Sequence, residues 1–290
     1  MNTLHDCLKW VFTVESWRSF VRYPDGRTVQ MMLKGALYDF CADPFLFRKD
    51  GVNWLFYERE GRRRKGEIGC LMEKNGTWMD EGTVLELPVH LSYPQVFEDH
   101  GRVFMIPESY DFFRGNVDLY EATDFPRGWK KVKTLIAEPS VDSTILLKDG
   151  CAYLICTFVG EHPRADLRVA SSLFGDWTLH PQAVNLGQSA RVRRSAGRFF
   201  EERGRLYRVV QDCDGEYGKC VYRIPVLTLT PTDYREGDPE MLLPGGHTYN
   251  TLETPDGLMV AFDKKFRERR SLGESIRLAF EMLGRKLVGK

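Results

Sequence analysis

Two aspartates, Asp43 and Asp142, open similar phrases, DPFLFRKDG and DSTILLKDG, each running into a charged turn closed by glycine. Carboxylates at matching places in a repeated unit can converge on one axis. In a confined space each raises the other's pKa unless a cation or hydrogen bonds intervene, and such a pair suits acid–base chemistry at a sugar. An aspartate at a strand start also caps turns, so it is the repetition that favours chemistry. The same place holds Tyr93 in YPQVFEDHG, Ala196 with Ser195 beside it in SAGRFFEERG, and Tyr249 in YNTLETPDG.

Three further groups bear on the chemistry. Glu108 ends the apolar run after the second turn, in MIPES, and is a candidate proton donor. SARVRRSAGR gathers Arg191, Arg193, Arg194 and Arg198, and guanidiniums read phosphate or carboxylate well. Strand alternation sends Arg191 and Arg193 to one face and Arg194 to the other; the alternative is a solvated basic strand paired with Glu201 and Glu202. Tyr93, Tyr249 and Tyr110 offer sugar-stacking faces, whereas Trp54, past its turn, reads as core. QDCDGEYGK is a rim loop that brings Gln211 or Asp212 towards a ligand.

The elements that must position these residues follow from the repeat. Five copies return at intervals of about fifty residues, each an apolar strand, a charged turn closed by Gly51, Gly101, Gly150, Gly204 or Gly257, and a second apolar run. Trp78, Trp129 and Trp177 stand 27 or 28 residues beyond their own turn glycine, with further strand-like segments between. About four strands per unit is a propeller blade, so the spacing predicts an all-β, five-bladed propeller with four-stranded antiparallel blades. The strand-like WVFTVES near the N-terminus is placed to complete the last blade. Side chains distant in sequence then meet at the axial mouth.

Composition agrees with a single domain over 1–290: 42% hydrophobic, 28% charged, and 41 basic against 41 acidic residues. That balance argues against a general nucleic-acid binder. No P-loop, GxGxxG fingerprint, HExxH or paired CxxC is present. Seven cysteines without compact spacing fit a reducing compartment, and with no signal-like N-terminus the expectation is cytoplasmic. The basic runs at Arg62–Lys65 and Arg267–Arg270 read as solvated turns, with acidic lipid as the alternative. A short C-terminal helix at about 272–288 places Leu272, Ile276, Ala279, Phe280, Leu283 and Leu287 on one stripe. It is expected to pack on the propeller, and the same amphipathicity would suit a peripheral membrane contact.

ADPFLF at Asp43, VDSTILLKDG at Asp142, RSAGRFFEERGRLY and GGHTYN at His247 together resemble the five-bladed glycoside hydrolases of the arabinanase, xylosidase and fructosidase group. The resemblance implies a general base at Asp43, a carboxylate that holds substrate and tunes the acid at Asp142, and an axial histidine at His247 with a metal ion or water nearby. No cofactor is required. The pattern departs at one place. The group's fourth-blade Glu-Gly-Pro, whose glutamate protonates the leaving group, is here Ser195-Ala196-Gly197. Serine is no general acid at neutral pH. Loss of that acid beside arginines suggests a donor whose phosphate or nucleotide leaves unaided, bound by Arg194, Ser195, Arg198, Tyr93, His247 and Tyr249, with Asp43 activating the acceptor.

HLSYPQVFEDHGRVFMIPES, VDLYEA and RSAGRFF are also similar to the N-terminal propeller module of plant glucosamine inositolphosphorylceramide transferases. This implies glycosyl transfer in glycan or glycolipid biosynthesis with a sugar or sugar-phosphate ligand. A hydrolase with a displaced acid, Glu108, and a non-catalytic carbohydrate-binding propeller are the alternatives.

Overall fold

The computed structural model describes residues 13–31, 40–60, 65–109, 115–183, 186–187, 189–269, 273 and 275–276. The chain begins with β1 (Thr13–Arg22) and β2 (Thr28–Gln30), which belong to the last blade. The first blade is β3 (Cys41–Lys49), β4 (Val52–Glu60), β5 (Gly66–Lys74) and β6 (Thr77–Leu85). The second is β7 (Ser92–Asp99), β8 (Arg102–Glu108), β9 (Val117–Asp124) and β10 (Arg127–Ile136), and the third β11 (Val141–Lys148), β12 (Cys151–Phe158), β13 (Arg164–Ala170) and β14 (Thr178–Leu179). The fourth holds β15 (Arg194–Ser195), β16 (Phe200–Glu202), β17 (Arg205–Asp212), β18 (Cys220–Leu229), β19 (Tyr234–Glu236) and β20 (Glu240–Pro244). The fifth is β21 (Tyr249–Thr254) and β22 (Gly257–Arg269), followed outward by β1 and β2.

These are the five antiparallel blades the repeat predicts, with one irregularity. The fourth sheet has six strands, because its inner strand is split into β15 and β16 and its outer edge into β19 and β20. Ring closure is also as expected: β1 pairs with β22 from Thr13↔Arg269 to Arg22↔Val260. The first four turns each place two left-handed residues at their tips, Asp50-Gly51, His100-Gly101, Asp149-Gly150 and Arg203-Gly204. That is the backbone twist a two-residue hairpin needs.

The core is divided among the seams between blades. Five hydrophobic clusters each draw on two neighbouring blades, for instance Phe47, Phe56 and Ile68 with Val103, Met105 and Trp129 across the first seam. The repeated tryptophans fill three of these seams. Burial of apolar surface, at about 25 cal/mol per Å², therefore holds blade to blade as well as strand to strand. Around the axis the inner strands are joined by polar side chains. Gln95 exchanges two 2.8 Å hydrogen bonds with the Ile145 backbone, and Asn250 Nδ2 donates to Pro44 O at 2.8 Å.

All of the C-terminal helix expected at 272–288 except residues 273, 275 and 276, most of the Arg62–Lys65 run, Arg270 and Tyr110 lie outside the described residues. No helix among the described residues is long and apolar enough to cross a membrane. The six described cysteines are unpaired thiols. Burial pushes Cys41 and Cys156 up to about 12.

Candidate active site

Asp43, Tyr93 and Asp142 share one backbone device. Their φ angles are 49°, 46° and 48°, in the left-handed region. At each, the register with the second strand slips by one residue, between Ala42 and Phe45, Ser92 and Gln95, and Val141 and Thr144. Such a conformation costs a non-glycine residue about 1 kcal/mol or more and re-aims the side chain out of strand alternation. The surroundings repay this through the amide N–H groups. Each is taken by a carboxylate of the preceding blade: Asp43 N donates to Asp263 Oδ2 (3.1 Å), Tyr93 N to Asp43 Oδ2 (3.2 Å) and Asp142 N to Glu108 Oε2 (2.8 Å).

The fourth and fifth blades depart from this pattern. Ala196 and Tyr249 occupy the matching positions without left-handed φ, and both are buried in the seam between their blades. Tyr249 therefore does not join the axial cluster, and its hydroxyl accepts from Arg22 Nη2 at 3.3 Å. The left-handed residue is instead Gly197, φ 152°, pressed so close to the fifth blade that a Cβ would lie 2.0 Å from Tyr249 O. What these blades supply is positive charge: Arg194, Arg198 and His247.

Arg194 Nε donates to Asp142 Oδ2, as does Gln211 Nε2 at 2.9 Å. Burial alone would lower the Arg194 pKa, but Asp142, Tyr217 and Glu108 keep it well above its ordinary value. Residues 191–193 lie in the turn before β15, so strand alternation does not govern them; Arg191 reaches Tyr222 Oη (2.6 Å). Glu201 and Glu202 pair not with these arginines but with Lys148 (2.9 Å) and Arg223 (2.6 Å). Arg198 Nη2 reaches Leu46 O (2.7 Å) and Val96 O (3.4 Å), tying three blades across the axis. Burial, only partly offset by Tyr93, brings its pKa down to about 10. Ser195 is buried with its Oγ unpartnered, and its carbonyl accepts from Gln211.

His247 lies between two carboxylates, with Nδ1 2.8 Å from Asp263 Oδ2 and Nε2 3.3 Å from Asp43 Oδ1. Burial would lower its pKa, but the charges of Asp263 and Asp43 outweigh it and raise it to about 9. The imidazolium is thus the resident cation near neutrality. Asp43 also accepts from Thr248 Oγ1 (2.6 Å). Its pKa is raised to about 7, chiefly by burial; His247 opposes, and Glu58, Asp142 and Asp263 add to the rise. Glu108 is pushed well above the carboxylate range by burial and then by Asp142, with Arg194 opposing. One carboxyl group poised near neutrality and another held protonated is the division of labour an acid–base pair needs.

Asp43, His247 and Asp263 each offer a ligand atom, all within 4.8 Å of one another. One imidazole and two carboxylates suit a divalent cation, and the His247 Nδ1 approach to Asp263 is poorly aligned as a hydrogen bond. The donor set therefore fits the ion expected near His247, with a proton as its competitor.

Several residues of the site carry no repeat position in the sequence reading. Trp17 of β1 lies on His247, ring centroids 3.8 Å apart, and Tyr217 meets both rings edge-on at 5.7 and 5.1 Å. Asp263 anchors Asp43, His247 and Thr248 through backbone N–H bonds of 3.0–3.1 Å. A signal for the second-strand residues did exist: Glu58, Glu108 and Gln211 all stand seven residues after their turn glycine. Tyr93 lies at the axis but is packed, its hydroxyl 2.9 Å from Thr144 Oγ1 and its ring edge-on to Phe45.

The fold defines the class first: a five-bladed β-propeller, a fold shared with glycoside hydrolases. An endo-arabinase of Bacteroides thetaiotaomicron superposes with a TM-score of 0.57, at 14% identity over 80% of this chain and 94% of that one. A family 117 glycoside hydrolase of Zobellia galactanivorans gives 0.54, at 11% identity over 88% and 91%. At such identities the likeness is one of fold. The chain belongs to the family described as glucosamine inositolphosphorylceramide transferase 1, N-terminal, whose model matches residues 27–246. It is 36% identical over 207 residues to glucosamine inositolphosphorylceramide transferase 1 of Arabidopsis thaliana, covering 68% of this chain and 27% of that protein. The same protein of Oryza sativa subsp. indica is 33% identical over 68% of this chain and 28% of its own length. The chain thus spans about a quarter of the relatives it matches.

Proposed function

We propose that the axial mouth moves a glycosyl group to an acceptor hydroxyl in glycan or glycolipid biosynthesis, with Asp43 as general base and Glu108 as general acid. The observation that carries this reading is the split between the two carboxyl groups, Asp43 near 7 and Glu108 well above its ordinary value, within one buried cluster. The acceptor oxygen attacks the anomeric carbon while its proton passes to Asp43. The bond to the leaving oxygen breaks, and that oxygen takes the proton of Glu108. Asp142 holds Glu108 through its amide, its charge keeps that carboxyl protonated, and Arg194 balances the charge of Asp142. With a phosphate-linked donor the leaving group needs no proton, and neutral Glu108 then limits repulsion of the anion. A divalent ion, if bound, would be held by Asp43, His247 and Asp263 and would supply positive charge at the mouth. The relatives' names contain a glycosyl transferase, which supports transfer over hydrolysis. A cytoplasmic setting remains our expectation for the chain.

One observation favours a second reading, glycan binding without turnover: both Asp43 oxygens already accept protein hydrogen bonds. The test is a thermal-shift screen against nucleotide sugars, sugar phosphates and neutral oligosaccharides, followed by turnover assays on every hit and on nitrophenyl glycosides. Transfer predicts that Asp43→Asn keeps binding and loses turnover, while Glu108→Gln loses only reactions whose leaving group needs a proton. Binding with no turnover by the wild-type protein would select the second reading. No stabilisation by any carbohydrate would end both.

A further inference from the structure

Among the described residues, a side chain on the loop between β17 and β18 stands at the edge of the axial cluster. Tyr217 is 41% exposed, although the groups beneath it are buried: Asp43 at 5%, Asp142 at 2% and His247 at 3%. Its ring lies 5.2 Å from the Arg194 guanidinium and edge-on to His247 and Trp17. Two of the groups it touches reach the buried acids directly, His247 Nε2 lying 3.3 Å from Asp43 Oδ1 and Arg194 Nε pairing with Asp142, so the ring lies beside the carboxyl groups.

The loop is built to hold the ring there. Lys265 Nζ of β22 donates to Tyr217 O and, at 3.2 Å, to Glu216 Oε1, and Gly245 N donates to Lys219 O at 2.9 Å. Gly218 takes φ 70° and lies so tightly on Trp17 that a Cβ would come within 2.2 Å of the indole. A solvent-facing aromatic ring rarely receives this much support. Here the support fixes an apolar face beside the proton-carrying groups. A pyranose has an apolar C–H face that packs on such a ring, and hydroxyls that pair with the carboxyl groups below it.

We infer that Tyr217 is the specificity-determining sugar contact of the axial site, stacking on the pyranose whose anomeric carbon faces Asp43 and Glu108. The inference rests on the carbohydrate reading of the site and names the residue that recognises the ring. It applies to the sugar of a neutral glycan or of a phosphate-linked donor alike, because the stack reads the ring and not the leaving group.

The experiment measures binding of every carbohydrate that stabilises the wild-type protein, by calorimetry, to wild type, Tyr217→Phe and Tyr217→Ala, and follows tryptophan fluorescence during each titration. Trp17, 5.7 Å from Tyr217, is the reporter, assigned by repeating the titration in Trp17→Phe. Expected are a loss of about tenfold or more in affinity for Tyr217→Ala, equivalent to about 1.4 kcal/mol, near-native binding for Tyr217→Phe, and an unchanged melting temperature for both. The ligand-induced fluorescence change should vanish in Tyr217→Ala. Binding by Tyr217→Ala within about twofold of wild type would overturn the inference and leave the acid–base reading standing. If the wild-type protein bound none of the carbohydrates, the sugar reading and the Tyr217 assignment would fall together.

Discussion

The first three blades and the last two use one repeat for opposite purposes. In the first three, a one-residue bulge with left-handed φ aims Asp43, Tyr93 and Asp142 across the axis, and the carboxylates of Asp263, Asp43 and Glu108 satisfy the amides this exposes. In the last two the matching residues, Ala196 and Tyr249, are buried in a seam, and Arg194, Arg198 and His247 bring cations to the same place. The first three blades thus bring Asp43, Glu108 and Asp142 to the axis, and the last two bring Arg194, Arg198 and His247 together with Asp263. Among the inner-strand starts, left-handed backbone falls on Asp43, Tyr93 and Asp142, the three residues that leave the strand's alternation.

The largest effect should come from removing the proposed base. Asp43→Asn should lower turnover by about 10²- to 10⁴-fold with little change in ligand affinity, measured as initial rates beside calorimetry. Breaking the link between the two groups of blades comes next. Arg194→Ala leaves Asp142 buried and unpaired, which should cost about 3–5 kcal/mol in urea denaturation, and Asp142→Asn in the same background should recover much of it. For the same reason a loss of ligand binding in Arg194→Ala cannot be read as a loss of phosphate contact.

Gly197→Ala tests whether the fourth blade needs its own backbone exception. The close approach to Tyr249 O predicts a loss of about 2–3 kcal/mol, seen in the same denaturation experiment, with the first three blades unaffected. The last test is a pH dependence. His247 has its folded pKa raised to about 9 from an ordinary 6.5, so its stabilisation is complete below about pH 6.5 and is lost as pH rises through 9. Asp43, raised to about 7 from 3.8, acts in the same direction, stability falling between pH 4 and 7. Melting temperature should therefore decline from pH 6.5 to 9.5, and His247→Gln should flatten that decline.

The repeat made the fold legible. Strand, glycine turn and strand at even spacing allow little besides a propeller, and the N-terminal strand was the piece needed to close it. The candidate site was legible to the extent that it obeys the repeat: Asp43 and Asp142 hold matching positions, and Glu108 stands out at the end of the second-blade strand in MIPES. What escaped has no register. Trp17 arrives from the closing strand and Tyr217 from a loop of the most irregular blade, so neither has a counterpart elsewhere. Tyr249 was misplaced among the site residues because position in the repeat does not reveal whether the bulge forms. Asp and Tyr carry no outward mark of left-handed φ, and in the fifth blade the inner strand pairs without a register shift.

Infrared difference spectroscopy of the protonated carboxyl stretch near neutral pH, comparing wild type with Glu108→Gln, tests the central claim most directly. The account predicts a protonated-carboxyl band in the wild type at pH 7 with two components, one from Asp43 that titrates away near pH 7 and one that is absent from Glu108→Gln and moves when Asp142→Asn removes the neighbouring charge. A wild-type spectrum with only ionised carboxylates at pH 7, or a protonated band left unchanged by Glu108→Gln, would contradict it.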